Sequence, residues 1–211
     1  MSEVTISAVH TDVLRTLDLS AVEAAMPQRA ERARRFRLER DRLLCLGAGY
    51  LMMRAAGIRG EVELRYGENG KPCAPGCPPF NISHSGVWCV LASGAPRTIG
   101  VDIEAVDPAH LDVAPAVYTP RELAWMAEDP LSRFYRLWTW KESVMKAAGL
   151  GLSLAPQSFE ALPFASGGSI LVRGQRWYAR GGMLDGYAFS VCSDEPVGEV
   201  KWVEYRGESK G

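Results

Sequence analysis

From Val4 to Val9 apolar and polar residues alternate one by one, the period of a strand with one buried face. Pro27 with the arginine-rich run behind it, and then Leu43–Ala56, read as two helices, the second closed by Gly57. Glu61–Arg65 alternates again as a short strand, and Tyr66–Pro79, crowded with glycine and proline, reads as loop. Phe80–Ile82 and Val87–Ala92 resume strand character around Ser83-His84-Ser85-Gly86, read as a tight polar turn able to present side chains and N–H groups to an anion. Near Pro96 the order starts again. Strand Thr98–Ile103 and helix Pro120–Ala127 precede a stronger helix opened by Asp129 as N-cap, with Pro130 first and Gly149 at its end. Ile170–Arg173, Gly186–Cys192 and Glu199–Tyr205 read as strands, and 207–211 as a loose tail. The order strand, helices, strands occurs twice, which suggests an internal duplication although residue identity between the halves is weak.

Within that pattern the polar exceptions carry the chemistry. Phe134, Leu137, Trp138, Lys141, Met145 and Ala148 follow helical spacing, and only the lysine breaks the apolar stripe, which is costly unless it is paired or reaches solvent. Asp102 and Glu104 project to one side of their strand while Val101 and Ile103 anchor the other. Glu142 and Lys146 stand one turn apart on one helix face. Two converging carboxylates, a third acid and an ammonium suit a divalent metal and a polyphosphate, so the expected chemistry is phosphoryl-group transfer. Glu122, after Thr119-Pro120-Arg121, reads as a first-turn acid that complements the helix dipole.

Bulk properties narrow the class. The 211 residues are 47% hydrophobic, enough for one large domain or two lobes of about 100 residues each. No apolar run approaches the roughly 20 residues that cross a bilayer. Met1–Val9 lacks the basic-then-apolar order of a secretory signal, so the expected address is the cytoplasm. Cys45, Cys73, Cys77, Cys89 and Cys192 are odd in number and scattered, hence expected as reduced thiols, and the Cys73/Cys77 spacing does not suit zinc. A net charge of −1 excludes a globally basic nucleic-acid binder. Seven arginines against three acids still crowd Arg29–Arg42. A solvated helix face and an anion contact through Arg29 and Arg32 both remain open readings of that run.

Five blocks in order give the chain a family likeness: Arg34-Arg35-Phe36 with downstream Asp41; Gly70-Lys71-Pro72; Phe80-Asn81-Ile82-Ser83-His84-Ser85; Ile99-Gly100-Val101-Asp102-Ile103-Glu104; and Phe134-Tyr135-Arg136-Leu137-Trp138-Thr139-Trp140-Lys141-Glu142-Ser143, continuing through Lys146 to Gly151-Leu152-Ser153-Leu154. With these blocks the chain resembles the Sfp-type 4′-phosphopantetheinyl transferases over nearly its whole length. The resemblance implies transfer of the phosphopantetheine arm of coenzyme A onto a serine of an acyl or peptidyl carrier protein, with release of 3′,5′-ADP. It implies Mg²⁺, or Mn²⁺ in its place, held by Asp102, Glu104 and Glu142, with Glu142 as base and Lys146 stabilising charge on the leaving phosphate. It also implies that Arg29, Arg32, Lys71, Ser83 and His84 hold the phosphates of coenzyme A. The carriers of fatty-acid, polyketide and nonribosomal-peptide synthesis present the same serine chemistry. Leu43-Leu44-Cys45 departs from the polar or basic residues of many relatives, which touches the adenine side.

The expected architecture is α+β (α/β), two similar lobes related by a pseudo-twofold axis, each a small antiparallel sheet packed by helices, with the site in the cleft between them. Residues 1–97 are expected to form the first lobe, which binds coenzyme A phosphates, and residues 98–206 the second, which holds the metal and catalytic groups. A monomer without nucleic-acid or membrane partners is expected. Two competing readings are another Mg²⁺-dependent phosphoryl enzyme, a nuclease or phosphohydrolase, and a non-catalytic module that binds coenzyme A or a carrier.

Overall fold

In the computed structural model, which describes residues 2–94 and 97–206, the chain forms ten strands and seven α-helices among the described residues. They run β1 (Ser2–His10), α1 (Thr11–Thr16), α2 (Ser20–Ala25), α3 (Pro27–Arg34), α4 (Glu39–Ala55), β2 (Arg65–Tyr66), β3 (Pro72–Cys73), β4 (Phe80–Ser85) and β5 (Trp88–Ser93). The second half adds β6 (Ile99–Ala105), α5 (Ala114–Val117), α6 (Pro120–Met126), α7 (Pro130–Ala148), β7 (Ser169–Val172), β8 (Gln175–Leu184), β9 (Tyr187–Ser193) and β10 (Val197–Tyr205). The tail expected at 207–211 lies outside the described residues.

Two four-stranded sheets organise the molecule, in the orders β10-β1-β5-β4 and β6-β9-β8-β7. The triplets β1-β5-β4 and β6-β9-β8 share one antiparallel arrangement, with the helices inserted after the first strand of each, so the two similar lobes read from the sequence are present. β10 alters the picture: it runs parallel to β1, so the chain's last strand completes the first sheet and not the second. Residues 197–205, expected within the second lobe, therefore tie the two halves together.

Three apolar clusters explain the layering. Val4, Ile6 and Ala8 of β1 and Val90 and Ala92 of β5 pack against Ile99, Val101 and Ile103 of β6 and Val191 of β9, which fills the space between the sheets. Leu14, Leu44, Leu51 and Met52 cover the outer side of the first sheet. On the second sheet, Leu137, Trp140, Val144 and Met145 of α7 meet Ile170, Trp177 and Cys192. The start and stop signals of α7 act as expected: Asp129 accepts from the Ser132 N–H at 3.4 Å, and Gly149 ends the helix in the left-handed region at φ 69°.

Several local expectations fail for identifiable reasons. Glu61–Glu63 is a 3₁₀ turn and not a strand, because Val62 is 86% exposed and offers no buried face. The Tyr66–Pro79 stretch is not all loop: Pro72 and Cys73 pair with Tyr66 and Arg65 as β3 with β2. β4 runs through Ser85, so only Gly86 and Val87 form the turn to β5, and Ser83, His84 and Ser85 are strand residues. The arginine run divides between α3 and α4, with 35–38 between them. β8 was not expected, since Gly181 and Gly182 interrupt its alternation, nor were α1 and α2, both only six residues long.

Lys141 resolves as the paired alternative. Its ammonium and the Glu122 carboxylate are both fully buried and 2.9 Å apart, and Lys141 also donates to the Pro156 and Phe159 carbonyls at 2.7 and 2.6 Å. Glu122 accepts from the backbone N–H groups of Thr119 and Ala161, so a dipole-complementing acid is also the anchor of a buried ion pair. Breaking such a pair leaves an uncompensated charge. Lys141→Met alone is expected to cost about 3–5 kcal/mol in chemical denaturation, with much of the loss recovered in the Glu122→Gln/Lys141→Met double variant. A single variant within experimental error of the parent would remove this structural role.

Candidate active site

The site begins where two sheet edges meet. β4 borders the first sheet and β6 the second, and they are joined by side chains instead of a backbone ladder. Asn81 Oδ1 accepts from the Val101 N–H at 2.9 Å, Ser83 Oγ from the Ile103 N–H at 3.4 Å, and Ser85 Oγ from the Ala105 N–H at 3.1 Å. The period of two on β4 matches the period of two on β6. The same serines reach the acids of β6: Ser83 donates to Asp102 Oδ1 at 2.9 Å and Ser85 to Glu104 Oε2 at 2.7 Å.

α7 supplies the other half. A Cβ at Gly100 would lie 2.0 Å from the Ser143 carbonyl oxygen and 2.4 Å from the Ala147 nitrogen, so glycine there permits helix and strand to touch. That approach lets Lys146 Nζ donate to Asp102 Oδ1 at 2.6 Å and to Ser83 Oγ at 2.9 Å. Glu142 lies one turn earlier on the same face, half-buried. Asp102 is buried, and its Oδ2 has no hydrogen-bond partner among the described residues.

The electrostatics bind the four groups together. Burial, first, and then the neighbouring acids push the carboxyls of Glu104 and Glu142 above the usual range, Asp102 acting on both. Burial also raises Asp102, against the opposing Lys146 ammonium. For Lys146 burial favours the neutral form, but Asp102, Glu142 and Glu104 together outweigh it and hold the group above its ordinary value. A cationic lysine thus sits among three acids that resist ionising together. Among the described residues no three His, Cys, Asp or Glu side chains already enclose a metal-sized space. The orphaned Asp102 oxygen and an all-carboxylate donor set nevertheless fit a hard, oxygen-seeking cation.

On the opposite face of β4, Ile82 and His84 line a cavity of about 470 Å³ together with Arg29, Arg32, Phe36 and Tyr66. The structure thus brings Arg29, Arg32 and His84 into one place. Arg29 donates to the Cys45 carbonyl at 3.3 Å, while its buried Nε has no partner among the described residues. The enclosing wall, then the Lys146 ammonium, lower the His84 imidazole. Leu43 and Leu44 pack into the core behind this cavity while Cys45 lines it, which answers where the departing Leu43-Leu44-Cys45 stretch sits.

Lys71 departs from expectation. Its ammonium donates to Thr98 Oγ1 at 3.0 Å and to the carbonyls of Ile99 and Ala147 at 2.9 Å each, with burial lowering it to about 8. All three protons are committed to protein oxygens, so Lys71 fastens its loop to the start of β6 and the end of α7 and is not a free phosphate ligand. Sequence reasoning also passed over Asn81 and Ser85. The signal was the polar residue at every second position from Asn81 to Ser85, hidden because Asn81 was read as the middle of a short strand and Ser83–Ser85 as a turn.

Residues 98–192 match the family model described as the 4′-phosphopantetheinyl transferase superfamily. The chain is similar to the 4′-phosphopantetheinyl transferase Sfp of Bacillus subtilis (strain 168), 36% identical over 145 residues that cover 63% of this chain and 64% of that protein. A second Bacillus subtilis 4′-phosphopantetheinyl transferase is 37% identical over 148 residues, 64% of this chain and 65% of the relative. A phosphopantetheinyl transferase of Thraustochytrium sp. is 32% identical over 164 residues, 64% of this chain and 57% of the relative. The matches thus span less than two thirds of the length of these relatives. Residues 98–192, which hold Asp102, Glu104, Glu142 and Lys146, are thus similar to the 4′-phosphopantetheinyl transferase superfamily, in keeping with the resemblance to its Sfp-type members read from the sequence.

Proposed function

We propose that the chain transfers the 4′-phosphopantetheine arm of coenzyme A to a serine hydroxyl of an acyl or peptidyl carrier protein, releasing 3′,5′-ADP, as a cytoplasmic monomer dependent on Mg²⁺. The observation that carries this reading is Lys146 bridging Ser83 and Asp102, with an open Asp102 oxygen, next to a cavity holding Arg29, Arg32 and His84. An ammonium among acids on one side and an arginine-lined cavity on the other suit a ligand that carries a pyrophosphate and a separate phosphate. Five free cysteines accord with a reducing compartment, and among the described residues no helix is long and apolar enough to cross a membrane.

Arg29 and Arg32 would receive the adenosine 3′-phosphate, since guanidinium groups suit phosphate oxygens, and Arg29 retains an uncommitted N–H. His84 would add an N–H from the cavity wall. Asp102, Glu104 and Glu142 would hold Mg²⁺, which when bound offsets the charge of the pyrophosphate. The carrier serine oxygen then bonds to the phosphorus that bears pantetheine, the bond from that phosphorus to the oxygen of the adenosine 5′-phosphate breaks, and the serine proton passes to Glu142. Without metal, burial raises the Glu142 carboxyl. Lys146 stays cationic and meets the negative charge that builds on the departing phosphate.

Intact-protein mass spectrometry of an apo carrier incubated with this protein, coenzyme A and Mg²⁺ tests the reaction. A gain of one phosphopantetheine mass, absent with EDTA or a carrier lacking its serine, is expected. No gain on several carriers while coenzyme A still binds would instead favour the non-catalytic module. Glu142→Gln is expected to slow the transfer by about 10²-fold or more. His84→Ala is expected to raise KM for coenzyme A more than for dephospho-coenzyme A, and equal effects would detach His84 from the 3′-phosphate.

The raised Glu142 carboxyl predicts a stability trade. In the unfolded chain it ionises near 4.5, and in the folded protein only at higher pH. Across that window the folded state keeps a proton the unfolded chain has shed, so this group's contribution falls as pH rises. Without metal, Glu142→Gln should therefore raise Tm at pH 7, by roughly 2–4 °C, and leave it unchanged near pH 4. Equal gains at both pH values would rule out the electrostatic origin.

A further inference from the structure

β4 performs two tasks on opposite faces. Ile82 and His84 face the arginine-lined cavity, whereas Asn81, Ser83 and Ser85 face β6. The two serines repeat one geometry two residues apart. Each accepts from a backbone N–H of β6 and donates to the carboxylate of the residue just before that N–H: Ser83 with Ile103 and Asp102, Ser85 with Ala105 and Glu104. Because both of its bonds run to β6, the Ser85 hydroxyl is fixed in direction, and Glu104 is fixed with it. Ser83 is shared with Lys146, but Ser85 has no bond to that lysine.

Resting on the proposed transferase reading, we infer that Ser85 is a positioning residue for the reaction, orienting the Glu104 carboxylate to receive the divalent cation without itself touching cation or substrate. A carboxylate that could swing freely must be ordered when the cation arrives, and that ordering weakens binding; one already tied by a neighbouring hydroxyl needs no such step. Since the same strand lines the cavity with His84, the Ser85 contact also fixes Glu104 relative to the coenzyme A phosphates. Loss of the hydroxyl should therefore weaken the cation more than it weakens coenzyme A.

The test is Mn²⁺ binding followed by electron paramagnetic resonance, with coenzyme A present and no carrier, so that no turnover occurs. Ser85→Ala is expected to weaken Mn²⁺ by about 10-fold or more, with coenzyme A affinity measured without metal changed less than about twofold. Ser85→Thr, which restores a hydroxyl at the same carbon, is expected to return most of the Mn²⁺ affinity, and melting curves of both variants report whether the fold is intact. Mn²⁺ affinity in Ser85→Ala equal to the parent, or equal losses of Mn²⁺ and coenzyme A in both variants, would overturn the inference and leave Ser85 as a tie between strands only. If the parent protein binds coenzyme A but no Mn²⁺, the transferase reading falls and this inference with it; a parent that binds both while Ser85→Ala behaves the same sinks only the inference.

Discussion

The meeting of β4 with β6 is the constraint on which the rest of the molecule depends. An edge strand leaves a row of N–H and C=O groups that must find partners. Here the N–H groups of Val101, Ile103 and Ala105 find them in Asn81, Ser83 and Ser85. A slip of one residue would turn those polar side chains toward the cavity and put Ile82 and His84 against β6. The register that satisfies the edge is thus the one that sets Asp102 and Glu104 beside the serines and His84 beside Arg29 and Arg32. Apolar packing between the sheets, with Val101 and Ile103 on the other face of β6, supplies the driving force but not that register.

The arrangement is electrostatically uncomfortable by construction. Three acids share a small region in which burial already favours their neutral forms, and Asp102 leaves one oxygen unpartnered. A fold selected for stability alone would place apolar residues here, since well-packed hydrophobic side chains match or exceed buried charges. The rest of the molecule offsets the strain: α7 is capped at both ends and its outer face carries the largest aromatic cluster, so the helix that presents Glu142 and Lys146 is held independently of the charges it presents. Tension within the acids and rigidity around them suit a site whose charges are completed by a ligand.

What the sequence made legible follows from how local each signal is. The alternation of Val4–Val9, the caps of α7 and the placing of Asp102 and Glu104 on one side of a strand depend on residues a few positions apart, and the structure agrees with them. The shared triplet of strands also emerged, because the order of elements repeats even where residues do not. β10 was misassigned to the second lobe, because its partner β1 lies at the other end of the chain and no local pattern marks a parallel pair. Ser83-His84-Ser85 looked like a turn because strands bordering water or apolar core seldom carry such polar runs; the partner edge that makes the run favourable lies about twenty residues ahead.

Three lysines show how far residue type and spacing can lead before tertiary partners decide. Lys71, Lys141 and Lys146 all sit in motif blocks, and all lose solvent on folding. Lys71 faces a hydroxyl and two carbonyls, neutral acceptors that hold its position while burial lowers it to about 8. Lys141 faces one carboxylate in a sealed pocket; burial lowers it, with Glu122 opposing, and its charge has no path to a ligand. Lys146 faces Asp102 with Glu104 and Glu142 near, keeps about a quarter of its side chain in solvent, and is the one of the three held above its ordinary value. A group meant to stabilise charge forming on a phosphate must be cationic before the ligand arrives and must still be reachable by it. Of the three, only Lys146 meets both conditions, and it does so because Gly100 lets α7 approach β6 closely enough for the acids to surround it.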